Sequence, residues 1–80
     1  MLSIKVLGPG CAKCVRLQEN VQQAVNEMNI DAQIEKITEL DKIISYGIMA
    51  TPGLVINEKV VAYGNLLNVN ECKKLIESNL

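Results

Sequence analysis

Leu2-Ser3-Ile4-Lys5-Val6-Leu7-Gly8-Pro9-Gly10-Cys11-Ala12-Lys13-Cys14 is the stretch on which the fold turns. Its first six residues are rich in β-branched and aliphatic side chains and read as a strand, which Gly8-Pro9-Gly10 cannot continue. From Cys14 onward the apolar residues fall at Cys14, Leu17, Val21, Ala24, Val25 and Met28, in steps of three and four. Arg16, Gln18, Glu19, Gln22, Gln23, Asn26 and Glu27 take the other side, so this segment is an amphipathic helix. Asn29 is a suitable stop, because asparagine tolerates the left-handed conformation that closes helices.

Outward from that unit the pattern continues without a linker, repeat or low-complexity tract. Ile30 to Ile37 reads as a second strand. Thr38 reads as an N-cap, with acids following it in the first turn. The short helix after it should turn Leu40, Ile43 and Ile44 inward and stop at Gly47. Gly53-Leu54-Val55-Ile56 and Lys59-Val60-Val61-Ala62-Tyr63, separated by Asn57-Glu58, form a hairpin that Gly64 ends. Asn68 with Glu71 three residues on resembles a capping box for a last helix that carries Val69, Cys72, Leu75 and Ile76 inward. A strand–helix–strand opening implies a parallel pair with a right-handed crossover, and the hairpin adds antiparallel strands. The fold class is α/β, in the order β-α-β-α-β-β-α, with a mixed four-stranded sheet and helices on both faces, all within one domain over residues 1–80.

Composition bounds the chemistry. The 80 residues are 49% hydrophobic but only 2% aromatic, with net charge −1; the core is therefore aliphatic, and the basic surplus of a nucleic-acid binder is missing. No apolar run approaches the roughly 20 residues of a bilayer span, and no secretory leader pattern opens the chain, which points to a reducing cytoplasm. Three cysteines and no histidine exclude Cys–His nucleophiles, Ser–His–Asp triads and mixed Cys/His zinc sites. A structural zinc site fails as well, because Cys11, Cys14 and Cys72 leave its fourth position empty. Cys72, spaced three from Val69 and Leu75 and four from Ile76, reads as a small hydrophobe on the apolar face of the last helix. Met28 and Met49 read as packing residues, and Met1 as the initiator.

The pair Cys11-Ala12-Lys13-Cys14 sits where a strand ends and a helix begins. Unpaired N–H groups and the dipole of a first helical turn favour an anion, so a thiol there should ionise below the free value of about 8.5. Cys11 is then the exposed nucleophile, and Cys14, one turn on, can attack the mixed disulfide from within the chain. Such a pair inside a strand–helix–strand unit is the sequence mark of a thioredoxin-like redox motif. Taken alone, Pro52 reads as an ordinary trans proline opening a strand.

The chain resembles the small archaeal and bacterial members of the thioredoxin/glutaredoxin superfamily, on Gly8-Pro9-Gly10-Cys11-Ala12-Lys13-Cys14, Thr51-Pro52-Gly53-Leu54-Val55-Ile56 and Gly64. The resemblance spans Leu2 to about Ser78. It implies a thiol–disulfide oxidoreductase that reduces protein disulfides, with Cys11 the attacking thiol, Cys14 the resolving thiol and Pro52 a cis proline. Gly10, Ala12, Thr51 and Pro52 are the expected client-binding residues, with the backbone of Thr51 pairing with an extended client segment. No metal or cofactor is implied. The partners implied are disulfide-containing clients and an upstream donor such as thioredoxin reductase, served by a monomer with no nucleic-acid or membrane partner. Gly10 stands where thioredoxin carries tryptophan, and no acid occurs in Ser3-Ile4-Lys5-Val6 to assist the resolving thiol. Thr51 and Tyr63-Gly64-Asn65 replace the cluster with which glutaredoxins hold glutathione, which also disfavours an iron–sulfur cluster shared between two copies. The alternative is a soft-metal module that binds or hands over monovalent copper through Cys11 and Cys14. That family favours Met where Pro9 stands, ends in a strand, and has no counterpart of Thr51-Pro52.

Overall fold

A computed structural model describes residues 2–80; Met1, read as the initiator, lies outside the described residues. The elements are β1 (Leu2–Leu7), α1 (Ala12–Met28), β2 (Ala32–Ile37), α2 (Leu40–Ser45), β3 (Gly53–Ile56), β4 (Lys59–Tyr63) and α3 (Val69–Ser78). The sheet order is β2-β1-β3-β4, with β1 parallel to β2 and antiparallel to β3, and β3 antiparallel to β4. This is the mixed sheet that the element order predicts.

Alternation along β1 divides the interior in two. Leu2, Ile4 and Val6, joined by Leu54 and Ile56 of β3, meet Leu17, Val21, Ala24 and Val25 of α1 and Cys72 and Ile76 of α3. On the opposite face Leu7 and Val55 meet Ile37, Ile43 and Ile48 beneath α2. Helices therefore cover both faces unequally. Where α2 runs out, a polar tie takes over. The Lys5 ammonium pairs with Glu58 and donates to the Tyr46 hydroxyl at 3.2 Å, and both bonds, Glu58 first, hold it above the ordinary lysine range.

Local chemistry explains the boundaries. Asn29 adopts the left-handed conformation (φ 53°), and the N–H of Ile30 reaches back to the Val25 carbonyl, a Schellman closure of α1. With Ile30 engaged in that closure, β2 starts at Ala32 and not at Ile30. Asn57 and Glu58 both have positive φ, 51° and 67°, the mirror-image turn that suits a two-residue hairpin. The capping box of α3 is present in both directions: Asn68 Oδ1 accepts from Glu71 N–H, and Glu71 Oε1 accepts from Asn68 N–H.

Two expectations fail at α2. The N-cap is Glu39, without a side-chain cap bond, because β2 runs through Ile37, whose carbonyl accepts the Gly8 N–H, and the first helical bond is the one that the Glu39 carbonyl accepts from the Ile43 N–H. Of its three apolar residues only Ile43 is buried; Leu40 is 64% exposed and Ile44 60%. A six-residue helix has too few turns to face a full stripe to the sheet. Met28 packs on the larger core, whereas Met49, expected to pack, is 92% exposed in the loop before Pro52.

Candidate active site

Cys11 is the N-cap of α1, with extended backbone (φ −67°, ψ 166°). Its carbonyl accepts the Val15 N–H at 3.0 Å, and its Sγ accepts the Cys14 N–H at 3.3 Å. Sulfur thus takes the place of the serine or aspartate oxygen that usually satisfies a first-turn donor. When that sulfur carries negative charge, the N–H and the helix dipole stabilise it. Cys11 and Cys14 form a disulfide, with Cα atoms 5.1 Å apart. The two sulfurs differ in access, since Cys11 is exposed and Cys14 only 2% exposed.

Two glycines shape the turn for different reasons. Gly10 adopts φ +100° with open space where a side chain would stand, so its requirement is conformational. Gly8 is a steric requirement. A Cβ built there would lie 2.3 Å from Cys14 Sγ and 2.9 Å from Cys14 Cβ. This contact is invisible in the sequence, because a Gly-Pro-Gly turn already accounts for a glycine at that position.

The β1–β3 register brings the second motif to the same place. Leu7 pairs with Gly53, so the next position of each strand sets Pro52 across from Gly8, on which Cys14 rests. The Thr51–Pro52 bond is cis. Pro52 is buried and Thr51 half-buried, and the Pro52 carbonyl accepts the Gly64 N–H at 2.8 Å. Gly10, Ala12 and Lys13 are exposed around the disulfide. Cys72 is free and fully buried, and burial first, then the Glu71 charge, pushes its thiol up to about 11. It packs within the larger core. Of the predicted site residues, Gly10, Cys11, Ala12 and Cys14 lie together at the start of α1, and Thr51 and Pro52 approach across the β1–β3 pair.

The thioredoxin domain family matches residues 2–77. A thioredoxin of Methanothermobacter thermautotrophicus is 40% identical over 76 residues, covering 95% of this chain and 99% of that protein. A thioredoxin of Methanocaldococcus jannaschii is 38% identical over 80 residues, covering 100% and 92%. Among solved structures, oxidised thioredoxin from Plasmodium falciparum superposes with a TM-score of 0.66 at 19% identity, over 98% of this chain and 80% of that one. A structure described as a malarial protein gives 0.68 at 16% identity, over 100% and 98%. Both share the fold.

Proposed function

The chain belongs to the thioredoxin domain family, and from that membership we propose that Cys11 and Cys14 carry its reaction while Gly10, Ala12, Thr51 and Pro52 hold the client. It is a thiol–disulfide oxidoreductase. The Cys11 thiolate attacks one sulfur of a client disulfide, forming a mixed disulfide and expelling the other client sulfur as thiolate. Cys14, its proton passing to that thiolate or to water, then attacks Cys11 Sγ. The client leaves fully reduced, and the Cys11–Cys14 disulfide closes. Two electrons have moved to the client, and an upstream reductase returns two electrons and two protons.

The observation that supports this reading most is the placement of Cys11 Sγ on the Cys14 N–H at the start of α1, with an exposed first sulfur and a buried second. Thr51 offers its backbone to an extended client segment beside Pro52, and Gly10 and Ala12 leave the approach to Cys11 unobstructed. The whole chain acts as one domain and as a monomer, in a reducing compartment, the cytoplasm. Thioredoxins in general act on disulfide substrates and are reduced by a reductase; for this chain we place a thioredoxin reductase upstream, ahead of glutathione. The copper alternative finds no support, since the family model and the relatives that match nearly the whole chain are thioredoxins.

Insulin disulfide reduction by the wild type, Cys11→Ser, Cys14→Ser and Cys72→Ser tests the assignment. The expected outcome is no turnover for Cys11→Ser, an accumulating mixed disulfide without turnover for Cys14→Ser, and near wild-type activity for Cys72→Ser. Loss at Cys72 alone, or inactivity of every form with tight binding of monovalent copper, overturns it. Reduction of the oxidised protein by thioredoxin reductase with NADPH, and not by glutathione at matched potential, tests the donor.

A further inference from the structure

Gly8 lies where β1 delivers the chain to the turn before Cys11, buried and fixed to β2 by donation of its N–H to the Ile37 carbonyl at 2.9 Å. A methyl group there would stand 2.3 Å from Cys14 Sγ and 2.9 Å from Cys14 Cβ, well inside van der Waals contact. Neither atom is a loose end in the oxidised protein. Cys14 Cβ is anchored in the first turn of α1, and Cys14 Sγ is bonded to Cys11, whose own sulfur caps that turn. Reduction changes this, because the freed Cys14 sulfur can rotate about its single side-chain torsion to another staggered position.

We propose that Gly8 is a positioning residue that sets the redox poise of the site: by having no Cβ it leaves room for Cys14 Sγ in its bonded position and so favours the disulfide over the dithiol. The proposal rests on the assignment of Cys11 and Cys14 as the redox pair. A methyl at position 8 raises the free energy of the disulfide form more than that of the dithiol. The balanced exchange, protein disulfide plus two glutathiones giving protein dithiol plus one glutathione disulfide, then shifts toward the dithiol. In wild type the glycine makes the pair more reducing than a side chain at position 8 would, the direction that delivery of electrons to clients favours.

The test equilibrates full-length wild type and Gly8→Ala in glutathione buffers of graded ratio, with the dithiol fraction counted by alkylation and mass measurement. The expected result is an exchange constant at least tenfold further toward the dithiol for Gly8→Ala, which is about 30 mV less negative for a two-electron couple. Denaturant unfolding of the same variant should show the oxidised form losing about tenfold more in its folding constant than the reduced form. A role confined to stability lowers both forms equally and leaves the exchange constant unmoved, which overturns the proposal. Insulin reduction by the wild type in the same preparation separates the two claims: its failure overturns the assignment of the pair and this proposal together, whereas an active wild type with an unmoved Gly8→Ala constant overturns this proposal alone. If Gly8→Ala does not fold, Gly8→Ala combined with Cys14→Ala is compared with Cys14→Ala alone. A folded double variant identifies the Cys14 sulfur as the obstacle, and a double variant that also fails to fold overturns the proposal.

Discussion

The sulfur of Cys11 occupies a position where a helix start ordinarily recruits an oxygen, and in the proposed mechanism this placement is what favours its thiolate. In Cys14→Ser, which leaves Cys11 without its partner, the alkylation rate of Cys11 against pH should reach half its maximum below the free-thiol value of about 8.5. A midpoint at or above that value removes the helix-start argument. Cys72 supplies the contrast within one molecule. Its thiol, pushed up to about 11, stays protonated in the folded chain at pH values where the unfolded chain ionises it. The folded state then binds more protons than the unfolded one, so this contribution is intact below the ordinary thiol range and is lost as pH rises toward 11. Denaturant stability from pH 8 to 11 should fall more steeply for wild type than for Cys72→Ala, and Cys72 should resist alkylation until the protein unfolds. The placement of these cysteines is legible in the sequence because position alone separates them, two at a helix start and one on an apolar stripe. The contact of Gly8 with Cys14 is not legible, because it depends on where a side chain from the next helix comes to rest.

At the scale of elements, legibility tracks length and capping. α1 and α3 announce themselves through their period, the closure at Asn29 and the Asn68–Glu71 box; α2, too short to show a period, yielded a cap one residue early and two apolar residues on the wrong side. The turn at Asn57-Glu58 is weaker turn chemistry than Asn-Gly, yet it holds the left-handed geometry at both residues. Tertiary ties compensate, since Asn57 exchanges hydrogen bonds with the Ser3 backbone and Glu58 pairs with Lys5. Asn68→Ala removes one half of the box outright and should cost about 1 kcal/mol in denaturant unfolding, with Asn68→Asp close to neutral. α3 is tied to α1 by the Glu27–Lys73 pair, and the hydrogen bond from Lys73, ahead of that from Gln23, holds the Glu27 carboxyl below its ordinary value. That contribution is present above the ordinary carboxylate range and fades as pH falls through the depressed value. Lys73→Met should therefore lower stability above the carboxylate range and make the fall toward acid pH shallower, while the slope on the alkaline side stays the same.

The whole molecule is built unequally about its sheet, with two helices on one side and a single short one on the other. Leu54, fully buried among residues of α1, α3 and β1, should cost about 2–5 kcal/mol on truncation to alanine. Leu40, mostly solvated on α2, should change stability by less than about 0.5 kcal/mol. Against a total of about 5–15 kcal/mol for a domain, the first change threatens folding and the second does not. A denaturant midpoint that moved as far for Leu40→Ala as for Leu54→Ala would refute this division of the core. The order β2-β1-β3-β4 also leaves β2 at one margin of the sheet, with unpaired backbone groups along it. Glu35 and Lys36 are exposed there, on a strand whose central partner is among the most apolar segments of the chain. Charged side chains on such a margin penalise a second molecule that would extend the sheet. Glu35 and Lys36, one of each sign, therefore bear on whether two copies of the chain can join edge to edge through this margin.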